Sequence, residues 1–397
     1  MADEPVDELG RKTPLEIAHK PVIDSMAAHG ELGLVKTVPA HIPPGSDAAN
    51  LSVLGYDPCK YCTGRSPLEA ASMGIQLADT DVAFRCNLVT LSDNEPYAAK
   101  KMIDHSSDEI ATEDAVELIK TVQQHLGTDG FRFYPGRSYR HLLVWRAGCT
   151  GNLTTPPHDI LECAIMPHLP KGENGGVLLR MMERSAGLLK NHPINILRRE
   201  KGLRPANSIW LWGEGKRPAL PDFTEKYGLK GCIIAAVDLI FGIGICAGLK
   251  PVEVEGATGN IHTNFDGKAQ AAIDQLFNSD MDFVYLHIEA PDECGHRYEV
   301  DNKVKSIEII DRQIVAPIKN ALDASGEDYA IMVLPDHPTP LRLRTHTSDP
   351  VPYLIYRNKR RDGTHSVSAY NEKSASSTGI YIEDGFRLMD RFIKFNH

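Results

Sequence analysis

Apolar residues in the second half of the chain fall into short, nearly unbroken runs. Runs of this kind are typical of parallel strands that are buried on both faces, and they occupy residues 232–236, 251–254, 283–289 and 329–334. Segments with helical spacing, such as 303–322, separate them. The alternation predicts an α/β domain built on a doubly wound, mostly parallel sheet, with its site at the carboxyl ends of the strands.

The N-terminal part of the chain carries two helix-start signals. Thr13-Pro14-Leu15-Glu16 has the form of a capping box with proline at the first helical position, which predicts a helix over 14–29. Further on, the turn Gly45-Ser46-Asp47 leads into a helical run at 48–54. Ser46 therefore stands near a helix N-terminus, where free N–H groups favour an anion. On local sequence alone, the better interpretation is that Ser46 or Asp47 is an N-cap.

Residues 75–200 have a different pattern, in which strands and helices mix without regular alternation. Strands are predicted at 82–91 and 131–135, and helices at 112–126 and 176–192. We interpret 75–200 as an inserted α+β domain. The main domain is then discontinuous and comprises residues 1–74 and 201–397.

Composition narrows the classes of partner. The chain has 397 residues, of which 42% are hydrophobic and 24% charged, with a net charge of −10. An acidic chain of this kind does not favour nucleic acid or an anionic membrane as partner. Eight scattered cysteines are typical of a reducing cytoplasm. The lone Cys59-Lys60-Tyr61-Cys62 motif is only a weak indication of zinc or redox chemistry.

One apolar stretch, residues 231–249, has the length of a membrane span. Asp238 near its centre and its four glycines disfavour that interpretation. We predict instead a buried helix packed on the sheet.

Acidic and histidine side chains directly follow two of the predicted strands. Asp292 and His296 are spaced i, i+4 after one strand, Asp336 and His337 follow another, and His346 lies in a nearby loop segment. Carboxylate and imidazole are the ligands that hold divalent metals such as Mn²⁺ or Zn²⁺. The pattern predicts a metal site at this edge of the sheet. A serine beside such metals would be an activated nucleophile for phosphate chemistry, and Ser46 is our candidate.

Four motifs together resemble the archaeal-type, cofactor-independent phosphoglycerate mutases of the alkaline phosphatase superfamily. They are residues 45–56 (GSDAANLSVLGY), 292–296 (DECGH), 335–340 (PDHPTP) and 345–352 (THTSDPVP). The resemblance covers essentially the whole chain. It implies an alkaline phosphatase-like sheet with an inserted lid domain, and interconversion of 3-phosphoglycerate and 2-phosphoglycerate without 2,3-bisphosphoglycerate.

The resemblance also implies two divalent metal ions, with manganese expected first and zinc, cobalt or magnesium as alternatives. Asp292, His296 and His346 match the ligands of one metal. The other metal matches Ser46, Asp336 and His337, and Ser46 would carry the phosphate as phosphoserine. Candidate substrate-binding residues are Arg65, Arg85, Arg140, His141, His158, Asp159 and Lys226.

Other activities of the same architecture stay open. Bacterial proteins of this type have been proposed as homoserine kinases, and the metal motifs do not separate that activity from a mutase. A plain hydrolase and a non-catalytic metal-binding protein are further alternatives. The only partner that the motifs imply is a small phosphorylated substrate; they leave the oligomeric state open.

The chain departs from the family pattern in two places. The family begins with an apolar strand that ends in Gly-Asp-Gly-Met-Ala-Asp, and this sequence starts in the middle of that motif, at Met1-Ala2-Asp3. We therefore expect an unfilled strand position in the core and a weakened metal site at Ser46. A start codon assigned at an internal methionine, or a trimmed chain, would account for this departure. In addition, Ser106-Ser107-Asp108-Glu109 stands where relatives commonly carry Gly-His.

Overall fold

A computed structural model describes residues 1–359 and 367–393 of the chain, which forms two compact units. One unit comprises Met1–Cys62 and Ala219–His397, and the other comprises Thr63–Pro218. No helix among the described residues is long and apolar enough to span a membrane.

The elements of the first unit are α1 (Pro14–Ile17), α2 (Pro21–His29), β1 (Glu31–Val35), α3 (Ser46–Val53) and α4 (Pro58–Tyr61) before the second unit. The second unit contains α5 (Ser66–Ser72), β2 (Val82–Leu91), β3 (Met102–Asp104), α6 (Thr112–Leu126), β4 (Phe131–Tyr134), β5 (Arg140–Trp145), α7 (Gly175–Leu189), α8 (Pro193–Glu200) and β6 (Ser208–Gly215). The first unit then resumes with α9 (Phe223–Tyr227), β7 (Gly231–Ile234), α10 (Asp238–Cys246), β8 (Lys250–Val252), α11 (Phe265–Phe277), β9 (Phe283–Leu286), α12 (Ala290–His296), α13 (Val300–Ile309), α14 (Ala316–Ser325), β10 (Ala330–Val333), β11 (Val351–Arg357), α15 (Glu372–Ser377), β12 (Tyr381–Ile382) and α16 (Leu388–Ile393).

The first unit has a mixed α/β fold with two sheets. One is a parallel sheet in the order β8-β7-β9, and the other has the order β10-β11-β1-β12. In the second sheet β11 runs antiparallel to both β10 and β1. The sequence predicts one mostly parallel sheet, whereas the structure has two sheets and a strand, β11, that runs antiparallel to both of its neighbours. This strand lies in a segment for which the apolar pattern predicts no strand.

The carboxyl ends of β9 and β10 meet at one edge of the unit. Thr339, just beyond β10, donates a hydrogen bond to Asp292, just beyond β9. The acidic and histidine side chains that follow the two strands therefore come together, as the sequence predicts.

A cavity of about 950 Å³ separates β9 from β10. Every residue of both strands lines it, and Ile310, Ile314 and Phe392 contribute apolar surface from the flanking helices. Ser46, Asp336 and Met1 line it as well. Within residues 1–359 and 367–393, β9 pairs only with β7 and β10 only with β11, so the two strand edges that border the cavity have no strand partner there.

The structure corrects three local predictions. The capping box is confirmed, with reciprocal hydrogen bonds between Thr13 and Glu16, but Pro21 begins a separate helix, so the segment 14–29 is two helices. The stretch 231–249 is not one buried helix, because its first part is strand β7 and only Asp238–Cys246 is helical. The helical segment predicted at 303–322 extends over 300–325 and includes a π-helical turn at Ile310–Val315.

The second unit is built on a five-stranded antiparallel sheet. The strands β3, β2, β5 and β4 lie in that order, and β6 also pairs with β2. Helices α6 and α7 pack their apolar faces on the sheet, and Phe84, Leu118 and Met182 are among the buried residues of the resulting core. The unit extends beyond the predicted limits of 75 and 200, because α5 packs on β2 and β6 pairs with it.

Candidate active site

Ser46 is the first residue of α3, directly at the helix N-terminus. Gly45 is the N-cap residue, and no side chain caps this helix. The N-cap interpretation of Ser46 and Asp47 is therefore wrong. The Ser46 hydroxyl is not used by the helix and points instead toward the residues that follow β10.

Ser46, Asp336 and His337 form a compact group. Ser46 Oγ lies 3.1 Å from Nε2 of His337, and Oδ2 of Asp336 lies 3.4 Å from the same nitrogen. Burial lowers the pKa of His337, so its imidazole is neutral near pH 7 and can offer a lone pair. These three residues present a hydroxyl, a carboxylate and an imidazole to one point, which fits a divalent metal.

Asp292, His296 and His346 form a second group, with one ligand atom from each within 4.8 Å of the others. Nε2 of His296 lies 3.3 Å from Oδ2 of Asp292 and 3.0 Å from Nε2 of His346. On its other side, Nδ1 of His296 hydrogen-bonds the carbonyl of Arg344 at 2.9 Å. That bond holds the ring with Nε2 directed into the group, as in protein metal sites where the second ring nitrogen is hydrogen-bonded.

The two groups adjoin one another. The rings of His337 and His346 have centroids 3.9 Å apart, and Nδ1 of His337 lies 4.0 Å from Oδ1 of Asp292. Burial raises the pKa of Asp292, but hydrogen bonds from His296, His346 and Thr339 outweigh burial and hold this pKa well below its usual range. The hydrogen bond to Asp292 raises the pKa of His296 to about 9. Near pH 7 the Asp292 carboxylate is therefore ionised and pairs with a protonated His296 imidazole, a partner whose proton a cation could replace.

Thr339 and Lys303 support this arrangement, and sequence reasoning did not find them. The Thr339 hydroxyl donates to Asp292 and lies 3.3 Å from Nδ1 of His337. Lys303, fully buried, donates to the Thr339 carbonyl at 2.8 Å and forms an ion pair with Asp3 at 2.7 Å. Breaking such a buried pair on one side leaves an uncompensated charge, so this pair fixes the loop after β10. In the sequence, the one indication of the role of Lys303 is that a lysine stands on an otherwise apolar helix face.

The second unit groups several of the predicted substrate-binding residues. Burial lowers the pKa of Arg85, and the charges of Arg65 and Arg140 act on it in the same direction. The guanidinium of Arg85 stacks on Trp212 at 4.4 Å and pairs with Glu69 at 2.9 Å. His158 packs its ring against the ring of Trp212, and its Nε2 lies 3.7 Å from Oδ1 of Asp159. This basic cluster (Arg65, Arg85, Arg140, His158, with Asp159 beside it) fits a carboxylate or phosphate ligand.

His141 does not join the basic cluster. In the sheet register, Arg85 lies opposite Leu142 and Arg140 opposite Asn87, whereas His141 lies opposite Cys86 and faces the other side of the sheet. It is buried, and burial lowers its pKa to about 3. His141 is a neutral core residue, so we do not retain it as a substrate ligand.

Lys226 lies away from Ser46 within the first unit. Its ammonium group donates to the carbonyl of Gly55 and stacks between the rings of Tyr56 and Tyr227, 4.6 and 4.8 Å from their centroids. Gly55 follows the C-terminus of α3, whereas Ser46 begins that helix. The structure thus places the Lys226 ammonium group at the C-terminal end of α3, the end opposite Ser46.

Comparisons with known proteins identify the family of this chain. A family profile described as 2,3-bisphosphoglycerate-independent phosphoglycerate mutase matches residues 27–195. A probable 2,3-bisphosphoglycerate-independent phosphoglycerate mutase of Geobacter sulfurreducens is 51% identical over 393 residues, which cover 99% of this chain and 97% of that protein. An enzyme of the same name from Methanothrix thermoacetophila is 47% identical, with 98% and 96% covered.

Two solved structures resemble the chain over nearly its whole length. The PH0037 protein of Pyrococcus horikoshii superposes with a TM-score of 0.81 at 28% identity, covering 100% of this chain and 97% of that one. A cofactor-independent phosphoglycerate mutase from Thermoplasma acidophilum gives a TM-score of 0.65 at 26% identity, with 99% and 96% covered. By its identity to full-length relatives, the chain belongs to the family of 2,3-bisphosphoglycerate-independent phosphoglycerate mutases.

Proposed function

We propose that the protein interconverts 3-phosphoglycerate and 2-phosphoglycerate without 2,3-bisphosphoglycerate, through a phosphoserine at Ser46. The observation that carries this proposal is the position of the Ser46 hydroxyl, 3.1 Å from His337 and beside a second acid–histidine group. A serine in such surroundings suits transfer of a phosphoryl group to and from its oxygen.

The two groups fit two divalent cations, and we assign Asp292, His296 and His346 to one ion. Ser46, Asp336 and His337 would hold the other. When bound, such ions lower the pKa of the serine hydroxyl and neutralise charge on the phosphoryl group. Manganese is the metal that the family resemblance implies first, with zinc, cobalt or magnesium as alternatives.

The chain's own residues account for the two transfers. Ser46 Oγ, having lost its proton, attacks the phosphorus of 3-phosphoglycerate; the new O–P bond forms as the bond to the substrate's O3 breaks, and O3 takes up a proton. The O2 hydroxyl of the glycerate then loses its proton and attacks the phosphorus of phosphoserine. The new bond from O2 to phosphorus forms as the bond to Ser46 Oγ breaks, and Ser46 Oγ takes up a proton. The free N–H groups at the start of α3 favour the phosphate at this position.

The unit Thr63–Pro218 would supply the groups that hold the glycerate. We assign Arg65, Arg85 and Arg140 to its carboxylate or phosphate, and His158 with Asp159 to its hydroxyls. This unit would act as the lid over an alkaline phosphatase-like domain. Its task would be to exclude water, because water that reached the phosphoserine would hydrolyse it.

We place the enzyme in the cytoplasm.

Acid-quench mass spectrometry during turnover tests the proposal. The protein is mixed with Mn²⁺ and 3-phosphoglycerate, and we expect a phosphorylated peptide that contains Ser46 together with 2-phosphoglycerate as product. Serine phosphorylation without 2-phosphoglycerate, but with transfer to added homoserine, would assign the protein to a different phosphoryl acceptor. Turnover without any phosphoserine would contradict the role of Ser46.

A further inference from the structure

A buried amide connects the backbone of Ser46 with the carboxylate of Asp336. Asn50 is fully buried in α3 and follows Ser46 at spacing i, i+4, so both lie on one helix face. Its Nδ2 donates to the carbonyl of Ser46 at 2.8 Å and to Oδ2 of Asp336 at 2.9 Å. One amide group thereby holds both the first turn of α3 and the acid that follows β10.

Tyr285 completes the hydrogen bonds of this amide. Its hydroxyl, reaching out from β9, donates to Oδ1 of Asn50 at 2.6 Å. The Ser46 carbonyl and the Asp336 carboxylate can only accept hydrogen bonds, so the NH₂ group of Asn50 must face them and Oδ1 must face Tyr285. Burial raises the pKa of Tyr285, which keeps its hydroxyl protonated and able to donate.

The carboxylate oxygen that Asn50 holds belongs to the reactive group. Oδ2 of Asp336 also lies 3.4 Å from Nε2 of His337, the nitrogen next to Ser46 Oγ. Oδ1 of Asp336 accepts a hydrogen bond from the backbone N–H of His337 at 3.0 Å, whereas Asn50 holds Oδ2. Loss of the Asn50 hydrogen bond would let Oδ2 shift, and small misplacements of a catalytic group lower the rate substantially.

We propose that Asn50 is a positioning residue that sets the carboxylate of Asp336 relative to Ser46, and that Tyr285 acts through Asn50. This inference rests on the proposed function for its kinetic readout, but its effect on metal binding is independent of turnover. Hydrogen-bonded partners of metal ligands typically change metal affinity or activity by about 10–100-fold when they are lost.

The test compares Asn50→Leu, Tyr285→Phe and the double variant with the parent protein. We measure kcat and KM for 3-phosphoglycerate, Mn²⁺ affinity by calorimetry, and thermal unfolding. Asn50→Leu should lower kcat by about 10–100-fold, and it should lower by a similar factor the Mn²⁺ affinity of the site formed by Ser46, Asp336 and His337. KM should change by less than about threefold, since the substrate-binding groups are untouched. Tyr285→Phe should have a smaller effect in the same direction.

The double variant gives the decisive comparison. Because Tyr285 acts through Asn50, adding Tyr285→Phe to Asn50→Leu should cause no further loss of kcat. If the losses of kcat in the two single variants multiply in the double variant, Tyr285 does not act through Asn50, and that part of the proposal is overturned. A loss of thermal stability with unchanged kcat and unchanged Mn²⁺ affinity would show a merely structural role and overturn the positioning role.

Asn195→Leu is the matched control. Asn195 is an equally buried amide that donates to two backbone carbonyls in the second unit, at 2.8 and 2.9 Å. The Asn195→Leu variant should lower stability without changing Mn²⁺ affinity.

If the parent protein shows no mutase turnover, the proposed function fails and the Mn²⁺ titration alone decides the positioning role. If Asn50→Leu does not fold, Asn50→Ser takes its place in the same measurements.

Discussion

The Ser46 hydroxyl lies 3.1 Å from Nε2 of His337, although 291 positions separate the two residues in the chain. One residue begins α3 and the other follows β10, and both occupy the edge of the first unit where β9 and β10 end. A serine oxygen held this close to an imidazole and a carboxylate has surroundings that suit a nucleophile.

Metal binding should be divided between two unequal sites. The Asp292 group offers a carboxylate and two imidazoles, whereas the Ser46 group offers one carboxylate, one imidazole and a neutral hydroxyl, so the first should bind Mn²⁺ more tightly. Calorimetry of Asp292→Asn should show loss of the tighter site. EDTA should abolish turnover, and Mn²⁺ should restore it.

His125→Ala, which alters an exposed histidine of α6, should leave both Mn²⁺ sites unchanged. Two sites of equal affinity in the parent protein, or a tighter site that survives Asp292→Asn, would contradict the ligand assignment.

The stability of the metal-free protein should fall as the pH rises from about 6.5 to 9. The pKa of His296 rises from 6.5 to about 9 through its hydrogen bond with Asp292. A group whose pKa is raised on folding stabilises the folded state fully below its unfolded pKa and loses that effect as the pH passes the folded pKa. Allowing for partial exposure to solvent, we expect a loss of about 1–2 kcal/mol in the free energy of unfolding.

Urea denaturation in EDTA at the two pH values measures this loss. His296→Gln removes the titrating group, so its unfolding free energy should depend less on pH over the same range. Parallel pH profiles for the parent and the variant would show that another group is responsible.

Substrate affinity should depend on the basic cluster of the second unit. Arg85 is stacked on Trp212 and held by Glu69, so Arg85→Gln should raise KM for 3-phosphoglycerate by about tenfold or more through loss of a charge-assisted hydrogen bond. Arg132→Gln, in β4, changes an exposed arginine outside the cluster and should leave KM unchanged. Equal KM values for all three proteins would remove Arg85 from the substrate site.

The cavity between β9 and β10 should accept an added strand. Met1 lines the cavity beside Ser46 and Asp336, and burial lowers the pKa of its amino group to about 6. A designed extension of about five apolar residues ahead of Met1 can pair with both strand edges. Each fully buried Val or Ile side chain contributes about 1.5–3 kcal/mol, so the free energy of unfolding and the Tm should both rise.

An extension of the same length with proline at its centre is the control, since proline cannot donate to a strand ladder. Hydrogen exchange of the β9 and β10 amides should slow only with the apolar extension. Equal stability for the two extended proteins would contradict pairing in the cavity.

The sequence predicted helices and strands well where the hydrophobic periodicity agreed with the residues that mark the ends of the element. The helix at 112–126 is confirmed, because its apolar residues recur on one face. The strand at 82–91 is confirmed, because it is a long, mostly apolar run that is buried along nearly its whole length. The convergence of the Asp292 and Asp336 segments was also predictable, since both follow buried strands. These predictions depend only on hydrophobic periodicity and on the polar residues that directly follow a strand.

Other features depend on pairing and packing that one sequence does not encode visibly. His141 was misjudged because the face it occupies is set by the register of β5 against β2. The antiparallel strand β11 (Val351–Arg357) was missed, and so the predicted sheet was wrong in part. Asn50 looked like an ordinary helix residue, because its partners Asp336 and Tyr285 lie more than 200 positions away.

The decisive measurement is turnover of 3-phosphoglycerate to 2-phosphoglycerate by the purified protein, with Mn²⁺ added and 2,3-bisphosphoglycerate absent. We expect conversion that EDTA abolishes, and a loss of about a thousandfold or more in Ser46→Ala. Ser52→Ala, which alters a buried serine of the same helix, should retain activity. Conversion at an unchanged rate by Ser46→Ala, or no conversion by the parent protein with Mn²⁺ bound, would contradict the account.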